Sequence, residues 1–138
     1  TPPVAAIGGF GLAASLAPAD GEAVAGLRGR LEERLRAAVE GLVIHGSGSQ
    51  RLPNTSFVGL PGEVDGEWLT LSLAEQGVSV STGAACASGE SRPSHVLLAM
   101  GCDAVGAAGS LRFSLGPETT EAEVDAAVLA LQRALAAG

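Results

Sequence analysis

The chain has 138 residues, enough for one domain with a core of its own, and carries a formal net charge of −7. Its eight basic residues are all arginine, at 28, 30, 34, 36, 51, 92, 112 and 133, so no lysine is present and no Schiff base can form on a lysine of this chain. Arginines scattered over an acidic background make no nucleic-acid footprint, and the sign of the charge argues against an anionic membrane surface.

No apolar run approaches about 18 residues, so no membrane span is expected. The first residues lack the basic start and apolar middle of a signal peptide. Two cysteines in a chain of this size do not make a disulfide framework, and they point to a reducing compartment, the cytoplasm.

Residues 4–17 mix apolar residues and glycine at near-helical spacing and end at Pro18. The clearest helix covers 21–41, where Val24, Leu27, Leu31, Leu35, Ala38 and Val39 recur at spacings of three and four. Arg28, Glu32, Glu33 and Arg36 take its other faces, with Glu32 and Arg36 in the favourable i,i+4 order. Gly41 is a stop signal. Leu42–His45 reads as a short strand, Gly46–Asn54 as a polar turn and Thr55–Leu60 as a second strand. Asp65 is placed to cap a helix over 66–76, with Gly77 just past its end. Val78–Val80 is strand-like, and Pro93 opens a helix through Met100.

Residues 110–115 alternate strictly, with Leu111, Phe113 and Leu115 on one side and Ser110, Arg112 and Ser114 on the other. Thr120 and Glu123 make a capping box for a last helix over 121–136, whose apolar stripe holds Val124, Val128, Leu131 and Leu135. These elements predict an α+β domain, a small sheet with helices packed on one face. The uncovered face, carrying Arg112, is left for a ligand or a partner domain. No repeat or long linker divides residues 1–138.

Between the strand at 78–80 and Pro93 lies Ser81-Thr-Gly-Ala-Ala-Cys-Ala-Ser-Gly89. A core cysteine is usually set among large apolar neighbours; Cys86 stands among small residues bracketed by Gly83 and Gly89, the way a chain presents a thiol on a loop. From composition alone an inert loop cysteine is the competing reading. Cys102, after Met100-Gly101 at a helix end, reads as a small buried hydrophobe. His95 reads as a packing or capping residue and His45 as a strand end. Neither has a second histidine or a carboxylate at ligand spacing, so no metal site is expected.

The segments Arg51-Leu-Pro-Asn-Thr, Val80 to Gly89, Pro93-Ser-His-Val-Leu-Leu-Ala-Met-Gly and Ser110-Leu-Arg-Phe-Ser-Leu-Gly resemble, in order and spacing, the pyridoxal-phosphate-dependent cysteine desulfurases of the iron–sulfur assembly and nitrogen-fixation branch. Four segments in register are far more specific than one short motif. The resemblance implies the C-terminal small domain of a fold-type I pyridoxal-phosphate enzyme, with residues 1–20 a connecting helix to a cofactor domain that carries the Schiff-base lysine.

It also implies roles for single residues. Cys86 would be the nucleophile that takes sulfur from L-cysteine as a persulfide while alanine leaves, chemistry that suits a polarisable thiolate. Arg112 would hold the substrate carboxylate with its guanidinium fork; a surface arginine or an internal salt bridge with an acidic residue is the alternative. Thr1 would reach the cofactor phosphate of a neighbouring subunit in a homodimer, although a frayed terminus is an equal reading. No catalytic role is carried onto Asn54. The partners implied are L-cysteine, the cofactor domain and a sulfur-acceptor protein. Two rival functions stand beside this one: a stand-alone persulfide carrier that uses no cofactor, and a non-catalytic interaction module.

Overall fold

The computed structural model describes residues 2–16, 21–82 and 93–138. The apolar stripe of the second helical segment becomes α2, Glu22–Ala38, which buries Leu31 and Leu35. Gly41 sits at φ +81°, a left-handed turn that suits glycine, and the chain reverses into β1, Val43–Ile44. After the polar turn β2 runs Thr55–Gly59, one residue shorter than the alternation suggests.

Asp65 caps α3, Gly66–Glu75, its carboxylate accepting from the amides of Glu67 at 2.9 Å and Trp68 at 3.2 Å. The third strand is displaced from the sequence reading. β3 is Ser81–Thr82, not Val78–Val80, because the register against β4 (Ser110–Ser114) selects the two residues that reach a partner. Ser94 is the N-cap of α4, His95–Ala99, so Pro93 lies just before that helix rather than in its first turn. A short helix, α5 (Ala104–Ala108), was not anticipated; Asp103 caps it by accepting from the Gly106 amide at 2.7 Å. Thr120 and Glu123 form the expected capping box at the start of α6, Glu121–Ala137. The first helical segment forms α1, Val4–Leu16, and every residue of it is exposed, including Ile7 and Phe10.

The sheet is antiparallel throughout, in the order β1-β2-β4-β3. On one face Ile44, Val58, Leu111 and Phe113 meet Leu31 and Leu35 of α2, Leu69 and Leu73 of α3, and Val124, Val128 and Leu131 of α6 in a single core. This is the α+β architecture of helices on one side of a small sheet. Gln76 adds a tie between helices, its side-chain amide donating to the Ala130 carbonyl at 3.2 Å.

Glu32 departs from the expected solvent-facing pair with Arg36. It is buried, and Arg51 donates to its two oxygens at 2.8 and 3.1 Å while Ser56 donates at 2.8 Å. Arg28, one turn back, lies 3.8 Å away. Burial alone would raise the Glu32 pKa; the hydrogen bonds from Arg51 and Ser56 and the charges of Arg51 and Arg28 outweigh it, and the net shift is downward.

Candidate functional site

Antiparallel pairing sets the second face of the sheet residue by residue. Ser81 of β3 pairs with Arg112 of β4, and Arg112 pairs with Phe57 of β2. Directly paired residues share a face, so Ser81, Arg112 and Phe57 form a row across the side opposite the core. The amide of His45, just past β1, donates to the Phe57 carbonyl at 2.8 Å and extends the row. The His45 ring meets the Phe57 ring edge to face, with centroids 5.5 Å apart.

Arg112 is exposed and makes no side-chain hydrogen bond or ion pair among the described residues. No described carboxylate holds its guanidinium fork, which could take an outside acceptor in two parallel hydrogen bonds. Position 86 is four residues beyond Thr82, the last residue of β3, whose partner is Leu111, next to Arg112. Cys86 itself and Thr1 lie outside the described residues, as do Pro18 and Arg92. Thr82 and Pro93, the described residues flanking that segment, both line a cleft of about 650 Å³, together with Asp65 and Glu67 at the start of α3 and Ala104 and Val105 of α5.

The rest of the second face is less open than the sequence suggests. Ser110, expected on the polar side with Arg112, is on that side but fully buried, because α5 folds back over it. Its hydroxyl donates to the Gly106 carbonyl at 2.7 Å and lies 3.0 Å from Nε2 of His45. Nδ1 of the same ring is 3.5 Å from Sγ of Cys102. Cys102 is therefore half-buried beside a polar partner rather than an apolar filler, and His45 does more than end a strand. His95 is exposed at the first position of α4. Among the described residues no group of three His, Cys, Asp or Glu side chains could hold a metal ion, and no helix is long and apolar enough to cross a membrane.

The first matched segment, Arg51 to Thr55, is scaffolding. Arg51 ties to Glu32, the Leu52 carbonyl accepts from Arg28, and the Asn54 carbonyl accepts from the Leu115 amide at 2.8 Å. Together these fix the start of β2 against α2 and the end of β4. The Glu32–Arg51 pair was missed because its members stand 19 positions apart, with only the charge of each as a signal.

The aminotransferase class-V family model matches residues 1–127. A cysteine desulfurase of Trichormus azollae is 46% identical over 99 residues, 72% of this chain and 24% of the relative. Cysteine desulfurase IscS of Clostridium botulinum is 42% identical over 134 residues, 91% of this chain and 33% of the relative. Among solved structures, a NifS-like protein from Rickettsia africae superposes with a TM-score of 0.84 at 27% identity, covering 99% of this chain and 36% of that one. The chain thus spans between a quarter and a third of the length of these curated relatives.

Proposed function

The chain belongs to the aminotransferase class-V family, and we propose that it is the sulfur-accepting, C-terminal domain of a cysteine desulfurase, which converts L-cysteine to L-alanine and enzyme-bound persulfide. The observation that carries this reading is the register of β3 on β4. It sets an exposed Arg112, with no partner among the described residues, beside the strand that precedes the Cys86 segment. Four residues span at most about 14 Å when fully extended, which bounds the reach of position 86 from the end of β3.

In this reading Arg112 holds the substrate's α-carboxylate in two parallel hydrogen bonds. The carboxylate fixes the amino acid, and the Cys86 thiolate attacks its sulfur, which leaves the substrate carbon and stays on the protein as a persulfide. The family's pyridoxal phosphate, when bound, supplies the electron sink that loosens the carbon–sulfur bond. This chain does not build a site for it: there is no lysine to hold the aldehyde. The residues here serve substrate recognition and sulfur receipt, with the cofactor held by a further domain and Thr1 contributing to its phosphate site across a homodimer. Residues 1–20, whose described part is the wholly exposed apolar helix α1, link the two domains. The domain works in the cytoplasm and passes its sulfur to an acceptor protein in iron–sulfur assembly.

The missing lysine favours a second reading for the chain acting by itself, a persulfide carrier charged at Cys86 by another protein. One experiment separates the two. The chain is supplied, fused or in trans, with the cofactor domain of a relative such as the Clostridium botulinum protein, and alanine release from cysteine is measured. Activity that appears with the cofactor domain and vanishes in Cys86→Ser supports the desulfurase reading. A chain that accepts sulfane sulfur at Cys86 but never supports alanine release is a carrier.

A further inference from the structure

The cluster of half-buried Cys102 and His45 with fully buried Ser110 lies outside the machinery just described, yet on the same side of the sheet. Hydrogen-bond directions within it follow from a count of protons. The Gly106 carbonyl can only accept, so the single Ser110 hydroxyl proton is committed to it at 2.7 Å. The Ser110 oxygen is then an acceptor, and Nε2 of His45, 3.0 Å away, must carry the ring proton and donate it. A neutral imidazole with its proton on Nε2 has a lone pair on Nδ1. Among the described residues the group placed to use it is Cys102 Sγ at 3.5 Å, as an S–H donor. Burial holds the His45 pKa below its ordinary value, which keeps the ring neutral near pH 7 and the lone pair free. A thiol donating to an imidazole that is oriented in turn by a third group has the nucleophile, base and orienter arrangement of activated cysteines.

We propose that Cys102 is a second nucleophilic thiol of this domain, with His45 as its general base and Ser110 as the residue that positions the ring, and that it takes up sulfane sulfur. The choice of electrophile rests on the proposed function, which delivers sulfane sulfur to this face. Ser110 and Arg112 are two positions apart on one strand and share a side, so they stand about 7 Å apart along β4.

The chemistry balances without an oxidant. The Cys102 proton passes to Nδ1 of His45, and the thiolate sulfur attacks the outer sulfur of a persulfide. A new sulfur–sulfur bond forms, the old one breaks, and its electron pair leaves on the donor thiolate, which recovers the proton from Nδ1. One persulfide and one thiol become one thiol and one persulfide. Cys102 is half-buried, and its proton is shared inward with His45.

The test uses the chain with Cys86→Ser, in which Cys102 is the only thiol. Glutathione persulfide is the free donor, and mapping by mass reads a gain of one sulfur atom on the peptide holding Cys102. Uptake should slow by about tenfold to a hundredfold when His45→Gln is added, the size of a general-base contribution. Equal rates with and without His45, or no uptake at all in either the Cys86→Ser or the unsubstituted chain, overturns the proposal. Because His45→Gln could unfold the domain, the ring is also read directly in the Cys86→Ser chain by nitrogen NMR. A proton on Nδ1 instead of Nε2 removes the base and sinks the idea.

Uptake by the Cys86→Ser chain identifies a free persulfide as a sufficient source. Uptake seen only when Cys86 is present identifies Cys86 as the donor. A Cys102→Ala chain that fails to load Cys86 counts against the proposed function alone and leaves the Cys102 result standing.

Discussion

Replacing Arg51 by alanine should expose how much of this fold rests on one buried carboxylate. Glu32 keeps only 7% of its side-chain surface and Arg51 keeps 19%, so the pair is far from the exposed ion pairs that contribute little. Arg51→Ala removes two charge-assisted hydrogen bonds and leaves the carboxylate with Ser56 and the more distant Arg28. Breaking a buried pair from one side costs about 3–5 kcal/mol; the partners that remain reduce this to about 2–4 kcal/mol. At about 3 °C per kcal/mol for a domain of this size, the melting temperature should fall by about 6–12 °C at pH 7.

The sign of the pH dependence follows from the direction of the Glu32 shift. In the native protein its pKa is lowered, so the stabilisation is complete above the unfolded value of about 4.3 and fades as pH falls through the lower folded value. In Arg51→Ala the burial cost is opposed by less, the carboxylate protonates more readily, and the penalty shrinks in acid. Urea unfolding of both proteins at pH 7 and at about pH 4 should therefore show the gap narrowing. A double-mutant cycle with Glu32→Gln should give a coupling of about 1–3 kcal/mol. A loss under about 0.5 kcal/mol, or one that does not change with pH, would refute the reasoning.

Arg112→Ala should change the unfolding free energy of the chain by less than about 0.5 kcal/mol in urea, since the side chain is exposed with no partner among the described residues. In the enzyme restored with a cofactor domain it should lower catalytic efficiency on cysteine by about tenfold to a few hundredfold, and Arg112→Lys should recover only part of this. Unfolding of the alanine variant, or normal efficiency, would contradict the clamp. Thr120→Ala should cost about 1 kcal/mol in urea unfolding by removing the side-chain acceptor of the Glu123 amide at 3.3 Å. Gly66→Ala should destabilise by about 1–3 kcal/mol although alanine is the better helix former, because its Cβ would stand 2.5 Å from the Ala108 carbonyl oxygen. A neutral or stabilising result there would mean that α5 yields easily.

What the chain discloses about itself follows the range of the forces involved. The Asp65 cap, the Thr120–Glu123 box and the alternation of residues 110–115 are local, and each appears in the structure where the spacing puts it. β3 was misplaced by three residues because Val78–Val80 has the better strand composition, whereas the strand is decided by pairing with β4. α5 escaped notice since an Ala–Gly run has no periodicity; the cap at Asp103, three residues before Gly106, was its one readable mark. The exposure of Arg112 was legible from its place on a polar strand face. Its position next to the exit of β3 was not, because register is a long-range property. The Cys102–His45 contact joins positions 57 apart, with no pattern connecting them.

The sheet's central pairing also bears on how freely this domain can change length. Fifty-one positions separate Gly59 from its partner Ser110, and α3, β3, the Cys86 segment, α4 and α5 all lie within that excursion. Closing a loop costs entropy only as the logarithm of its length. Adding about ten residues to an excursion already this long costs about 0.2 kcal/mol, well under one hydrogen bond. A change of about ten residues within this excursion would therefore have almost no thermodynamic effect on the pairing of β2 with β4.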